Sequence, residues 1–118
     1  MKQDRIESLK SLGVDLDETL ERFVGNEDLY FKCLNKFLND KNYGHLMEAI
    51  KDEDSSEAFE AAHALKGVSA NLGLDNLYEE MKVITEVFRA GSLDYDPDNF
   101  EKMKQEYKRA MNTIEGFK

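Results

Sequence analysis

The sequence is poor in the residues that staple or break a chain. It has one cysteine, one proline and no tryptophan in 118 residues. A single cysteine excludes an internal disulfide and is typical of a reducing compartment. Cys33 lies between Tyr30 and Phe37 on an apolar stripe, so we expect it to be a small buried hydrophobe. The two histidines and the one cysteine have no ligand spacing, so no metal site is predicted.

Long apolar runs and clustered positive charge are also absent. No run approaches the roughly 18 apolar residues that a transmembrane helix needs, and the N-terminal sequence MKQDRIESLK lacks the apolar segment of a secretory signal. The chain has 25 acidic and 16 basic residues and a net charge of −9. Nucleic acids and anionic membranes attract basic clusters, so neither is expected as a partner. We expect a cytoplasmic protein.

What the sequence does contain is helical periodicity from end to end. Apolar residues recur at steps of three and four, and no segment alternates as a strand would. The pattern predicts short helices within residues 2–24 and longer ones near 26–40, 55–72, 75–90 and 97–115. A segment near 43–51 extends or flanks the second long helix. Helix starts are predicted at capping residues, and helix ends at glycines: Asp15, Asn26, Asp54, Asp75 and Asp96; Gly13, Gly25, Gly73 and Gly91.

These helices predict an all-α fold. Short connections make neighbouring helices antiparallel, which gives an up-down four-helix bundle over residues 26–117, preceded by the short N-terminal helices. A chain of 118 residues is long enough to bury one core without disulfides or metals. We therefore expect one domain over residues 1–118, and a monomer.

The segment FEAAHALKGVSANLG, residues 59–73, has two stripes when it is read as a helix. One is apolar and small and suits packing in a bundle, and its members recur at steps of four and three: Ala58, Ala62, Leu65, Ser69 and Leu72. The second stripe lies beside it and carries an isolated histidine, a cation and two small residues: His63, Lys66, Gly67 and Ala70. The second stripe is the candidate functional surface.

Gly67 is unusual within this helix. A glycine in a helix interior costs about 1 kcal/mol relative to alanine, and the apolar pattern continues beyond it to Leu72. One interpretation is a close helix–helix crossing, where a missing side chain lets two backbones approach. The other is a bare surface that lets a partner reach His63. Periodicity alone does not choose between them.

The same residues carry a family resemblance. HALKGVSANLG, residues 63–73, resembles the H-x-L-K-G-x-S-x-N-L-G signature of histidine-containing phosphotransfer (HPt) domains. Upstream, the similarity continues through GVDLDE from residue 13, LERF from residue 20, NEDLY from residue 26 and the pair Phe37-Leu38. The resemblance covers about residues 13–91, and the last helix fits the architecture without a motif of its own.

The resemblance implies a phosphorelay function. His63 would accept a phosphoryl group from the aspartate of a receiver domain and pass it to another receiver. In this family the receiver, of a response regulator or a hybrid histidine kinase, supplies the Mg²⁺ ion and its own lysine, so no cofactor is expected on this chain. The sequence has no phosphate-cradling glycine loop, and no ATP-dependent kinase activity is expected.

Several residues are candidates for supporting His63. Lys66 lies one turn away and would favour the phosphorylated form, whereas Ser69 is expected to pack and hydrogen-bond. The next helix has a polar stripe that can lie beside His63: Tyr78, Lys82, Thr85 and Arg89. The resemblance implies that Arg89 occupies the family's arginine position and that Thr85 stands where an amide or acid often orients the imidazole ring. An ordinary exposed face is the alternative for Thr85 and Arg89.

Other possibilities remain open at this level. A docking patch for the receiver is expected around His63, with Ala70 and, from the early short helix, Phe23 and Val24. A helical adaptor that binds a receiver or another partner without phosphoryl transfer is the rival function. The chain could also be excised from a larger hybrid kinase. His45 lacks any comparable context and is expected to be a surface residue.

Overall fold

The computed structural model describes residues 1–118 and contains helices and turns but no strand, which confirms the all-α prediction. In chain order there are seven helices: α1 (Gln3–Ser11), α2 (Leu16–Arg22), α3 (Glu27–Phe37), α4 (Asn42–Lys51), α5 (Ser55–Asn71), α6 (Asp75–Arg89) and α7 (Pro97–Glu115). The molecule is elongated, 43 Å long and 23 Å across. None of the helices combines the length and the apolar character needed to cross a bilayer.

Side-chain caps begin most of the helices where the sequence predicts them. A side-chain oxygen accepts a hydrogen bond from a backbone N–H two or three residues on at four starts: Asp15 from Glu18, Asn26 from Leu29, Asp54 from Glu57, and Asp96 from Asp98. The predicted cap at Asp75 is wrong. Leu74 precedes α6 and makes no capping bond, and Asp75 is instead the first helical residue, where its charge suits the positive end of the helix dipole.

The predicted helix near residues 26–40 is shorter than expected. It ends at Phe37, and a turn separates it from α4. Within that turn the carboxylate of Asp40 accepts the backbone N–H of Asn42 at 2.9 Å. Such a local side-chain bond competes with helix continuation, so the chain restarts as α4.

Helix α5 lies at the centre of the packing. It packs against both α4 and α6, and α6 packs in turn against α7, while α3 contacts α7. Most of the face that α5 turns inward is alanine, and these small side chains let neighbouring helices approach closely. Apolar side chains of six of the helices join in one buried cluster, and the partly buried Leu16 and Leu20 of the remaining helix, α2, pack against it.

Helices α2 and α3 are fastened to the C-terminal end of α5. The guanidinium of Arg22 donates from Nε to the carbonyl of Asn71 at 3.2 Å and from Nη2 to that of Ala70 at 3.0 Å. The buried hydroxyl of Tyr30 donates to the carbonyl of Leu72 at 2.8 Å. Burial raises the pKa of Tyr30, so this hydroxyl stays a donor well above neutral pH. These bonds satisfy carbonyls that a helix end leaves without partners.

The turn after α5 requires a glycine. Gly73 has φ +74°, and a Cβ added to it would overlap the hydroxyl oxygen of Thr19 on α2. Left-handed backbone and close approach therefore coincide at this residue. Gly91 has nearly the same backbone, φ +77°, but a Cβ there would meet no atom within 4 Å.

Gly73→Ala is expected to destabilise the fold more than the matched variant Gly91→Ala. Both variants place alanine in left-handed backbone, which costs roughly 1–2 kcal/mol, but only Gly73→Ala also forces the α2 contact to move, for about 1–3 kcal/mol more. Urea unfolding monitored by circular dichroism measures both losses. Equal losses in the two variants would show that the contact between Thr19 and Gly73 does not constrain the fold.

Candidate functional site

His63 lies in the middle of α5 with its side chain exposed. The buried residues of this helix lie on its other side: Ala58, Ala61, Ala62, Leu65 and Ser69. The prediction that the imidazole is open to solvent is therefore confirmed, and the two stripes of the sequence are a buried and an open side of one helix.

Gly67 lies one turn after His63 and is exposed. A Cβ built on it would meet no atom within 4 Å. The helix-crossing interpretation is therefore wrong, because no neighbouring backbone approaches this glycine. What the glycine leaves is a bare patch of helix surface next to the imidazole.

A groove runs beside His63 between α3 and α5. Its volume is about 570 Å³, and ten residues line it: Cys33, Lys36, Phe37 and Asp40 from the α3 side, and His63, Ala64, Gly67, Val68, Asn71 and Leu72 from the α5 side. Half of the lining is hydrophobic, with one cation and one carboxylate on the α3 side. Cys33 is only partly buried, so the prediction of a buried cysteine is wrong, because this side chain lines the groove.

An aromatic ring accompanies the imidazole. Phe59 precedes His63 by one helical turn, and the two rings are nearly parallel, with centroids 5.5 Å apart and an interplanar angle of 21°. The guanidinium carbon of Arg89, on α6, lies 4.8 Å from the centroid of Phe59. Arg89 in turn pairs with Glu86 at 3.1 Å. Phe59 was not among the residues predicted from the sequence, although its spacing of four from His63 places the two side chains on the same face of α5.

Thr85 does not orient the imidazole. It is fully buried, and its hydroxyl donates to the carbonyl of Met81. The predicted polar stripe on α6 is thus broken, since Thr85 packs inward with the core residues Ile84 and Phe88, and the alternative of an exposed face is also wrong for this residue. Ser69 is buried as expected and donates to the carbonyl of Leu65 at 2.8 Å.

Lys66 and Ala70 lie at the border of the open side. Both are partly buried, so the predicted second stripe is fully open only at His63 and Gly67. The seven ion pairs of the structure do not include Lys66. Its ammonium group is therefore not committed to a carboxylate.

The two early candidates for docking differ in exposure. Val24 is 91% exposed and has φ +56°, which is a rare backbone for a β-branched residue. Phe23 is buried, and its ring contacts that of Tyr30 at a centroid distance of 5.2 Å. Phe23 is therefore a core residue, and the prediction that it offers a docking surface is wrong.

Comparison with known protein families identifies this arrangement. Residues 39–113 match the family model described as the Hpt domain. That segment is more than half of the chain, and it contains α4, α5, α6 and most of α7, including His63. The chain belongs to the Hpt domain family. No curated protein and no solved structure gave a match.

Membership of the family assigns the chain to a class of function. Hpt domains take part in phosphotransfer signalling as phosphocarriers rather than kinases, and they interact with receiver domains. In this Hpt domain the exposed histidine, the bare glycine patch and the groove lie together on the α5 surface.

Gly67→Gln is expected to slow phosphoryl transfer from a phosphorylated receiver by about tenfold or more, the effect of losing about 1.4 kcal/mol of partner contact. Helix content should remain unchanged, because a side chain at Gly67 meets open space. Gly44→Gln is the matched control, since Gly44 is also an exposed helical glycine with nothing within 4 Å.

A small phosphoryl donor such as phosphoramidate needs no docking surface. It therefore distinguishes a variant that blocks receiver docking from one that impairs the reactivity of His63. Both variants should accept phosphoryl from it at the wild-type rate. An unchanged transfer rate from the receiver to Gly67→Gln would remove the argument that a partner covers this patch.

Proposed function

We propose that this protein is a phosphorelay intermediate in which His63 receives a phosphoryl group from a receiver-domain aspartate and passes it to a second receiver. The observation that carries the proposal is an exposed imidazole next to a bare glycine patch, in the middle of a helix whose other face is buried. A histidine with a purely structural role would be buried with its ring nitrogens hydrogen-bonded, whereas His63 is exposed and forms no hydrogen bond within the chain.

The chemistry suits a histidine. Imidazole offers a nucleophilic nitrogen near neutral pH. In the proposed step a ring nitrogen of His63 bonds to phosphorus as the bond between phosphorus and the receiver's aspartate oxygen breaks, and the aspartate leaves as a carboxylate. The second transfer reverses these roles with another aspartate. Because the transition state is loose and rich in charge, catalysis consists mostly of positioning and electrostatic stabilisation.

The receiver would bring most of the charge that this reaction needs. We assign the Mg²⁺ ion and a catalytic lysine to the receiver, so this chain would bind no cofactor of its own. Lys66 is the nearest candidate on this chain for a supporting cation. It is free of ion pairs and lies one turn from His63, where its charge favours a phosphorylated imidazole.

The proposed docking surface combines the groove with Val24. The groove offers an apolar floor next to His63, and its α3 side carries Lys36 and Asp40, which can pair with charges of either sign. Val24 projects from the turn between α2 and α3, and Arg22 ties that turn to the C-terminal end of α5. The carbonyl of Ala70 accepts one of these hydrogen bonds from Arg22. The part of Ala70 in docking would therefore be to hold α2 in place.

The family fold supports a finer description of the architecture. We propose that the long helices form an antiparallel up-down four-helix bundle and that residues 1–118 act as one Hpt-like domain. Successive packing of α4, α5, α6 and α7 through short connections supports the bundle, and the bonds from Arg22 and Tyr30 to α5 support the single unit. We further propose a monomer that works in the cytoplasm, where receivers and kinases are expected to meet it.

Incubation with a phosphorylated receiver is expected to transfer acid-labile label to the wild-type protein and none to His63→Gln. The control is His45→Gln, which removes the other exposed histidine and should accept label normally. Gel autoradiography after acid and alkaline treatment measures the transfer.

Label that persists on His63→Gln would contradict the assignment of the phosphorylated residue. If the wild-type protein takes no label but binds the receiver as tightly as His63→Ala does, the protein is instead a helical adaptor. Calorimetric binding of the unphosphorylated receiver to both forms supplies that comparison.

Val24→Gly is expected to stabilise the fold and weaken receiver binding. Glycine removes the strain of left-handed backbone, which is roughly 1–2 kcal/mol for a residue with a side chain. Glycine also gives the unfolded chain more conformational entropy, which lowers stability by only about 0.4–1 kcal/mol, so the net effect is stabilising. Loss of the exposed isopropyl group should raise the Kd for a receiver about tenfold if docking buries it. Glu53→Gly is the matched control, because Glu53 also has φ +56° but lies in the turn between α4 and α5. An unchanged Kd in Val24→Gly would exclude Val24 from the docking surface.

A further inference from the structure

No hydrogen bond within the chain fixes the orientation of the His63 ring. Neither ring nitrogen bonds to another group of the chain, and the hydroxyl of Thr85, which was the candidate for orienting the ring, donates to a backbone carbonyl of its own helix. The imidazole does stack on the ring of Phe59, with the ring centroids 5.5 Å apart. Aromatic packing is therefore the visible constraint on the ring.

Phe59 is itself held in place from the neighbouring helix. The guanidinium of Arg89 lies over its ring, 4.8 Å from the centroid, and Arg89 Nε donates to both carboxylate oxygens of Glu86 at 3.2 and 3.1 Å. A guanidinium is attracted to an aromatic face and stacks on it. The contacts form a chain from Glu86 through Arg89 and Phe59 to His63, which crosses from α6 to α5.

We propose that Phe59 is a positioning residue for phosphoryl transfer, which orients the His63 imidazole by stacking, and that Arg89 acts on the reaction by holding Phe59. This inference rests on the proposed function, since it concerns the same histidine. The flat face of Phe59 limits rotation of the neighbouring imidazole about its terminal torsion, which is otherwise broad. A nitrogen held on one line of approach meets the phosphorus in reactive geometry more often.

The assignment separates Arg89 from a direct role at the phosphoryl group. The guanidinium lies over the Phe59 ring, and its Nε donates to the Glu86 carboxylate. Removing Arg89 should then lower the rate of phosphoryl transfer only through the increased mobility of the Phe59 ring. A variant that lacks the Phe59 ring should lose the contribution of Arg89 as well, so the two substitutions should not add.

Phosphoramidate is the probe for this inference, because a small donor needs no docking surface. Phe59→Leu should lower the maximal rate of His63 phosphorylation about three- to tenfold, the size expected from losing one aromatic pair, without changing the donor concentration at half-maximal rate. Phe59→Tyr keeps the ring and should restore the rate. In proton NMR spectra the His63 ring signals should lose their ring-current shift in Phe59→Leu and keep it in Phe59→Tyr.

Matched controls exist for both members of the pair. Phe100 is also partly buried and carries a lysine, Lys104, 4.5 Å from its ring centroid, so Phe100→Leu removes a comparable cation–aromatic contact on α7 and should leave the rate unchanged. For Arg89→Gln, which should slow the reaction less than Phe59→Leu does, the control is Lys82→Gln. Lys82 is an exposed cation of α6 that pairs with the glutamate three residues earlier.

The outcomes distinguish this inference from the proposed function. A wild-type protein that takes no phosphoryl group from any donor overturns the proposed function. A phosphorylated wild type whose rate and His63 ring signals are unchanged in Phe59→Leu overturns the positioning role alone. A full loss of rate in Arg89→Gln that persists when Phe59 is already leucine would assign Arg89 directly to the phosphoryl group and contradict the stack.

Discussion

Helix α5 must be buried on one side and bare on the other, and the rest of the structure depends on that constraint. The buried side is made of small residues, including Ala58 and Ala62, which let α4 and α6 pack closely against it. The open side carries His63 and a glycine that nothing approaches. Arg22 and Tyr30 bind carbonyls at the end of the helix, so the helix is held by its inner face and its C-terminal end while its outer face stays free.

The all-α class, most of the helix starts and the exposure of His63 could be predicted from the sequence because they depend on local interactions. A capping carboxylate such as Asp54 acts within three residues of its own position. The two sides of α5 follow from a helical period of 3.6 residues, so an apolar stripe on one side places His63 on the other. The signature around His63 predicted membership of the Hpt family. The match of residues 39–113 to the family model confirms that prediction.

The remaining features could not be predicted because they depend on tertiary packing. Whether a residue at the edge of an apolar helix face is buried depends on which neighbouring helix covers it. Spacing placed Thr85 on a polar stripe, and Phe23 was expected in the docking patch, but tertiary packing buries both. Cys33 was predicted to be a core residue, but it lines the groove between α3 and α5. The contact of Arg89 with Phe59 joins two helices, and no rule of spacing within one helix predicts which residues meet between two.

Phosphoryl transfer to His63 requires that a receiver cover the bare side of α5. The most direct measurement is NMR mapping of backbone amide shifts in the isotope-labelled protein during titration with an unlabelled receiver domain. The largest shifts should fall on α5 between His63 and Asn71, on the α3 wall of the groove and at Val24. Shifts concentrated on the outer face of α7, with His63 and Gly67 unaffected, would contradict the account, because no receiver aspartate could then reach the imidazole.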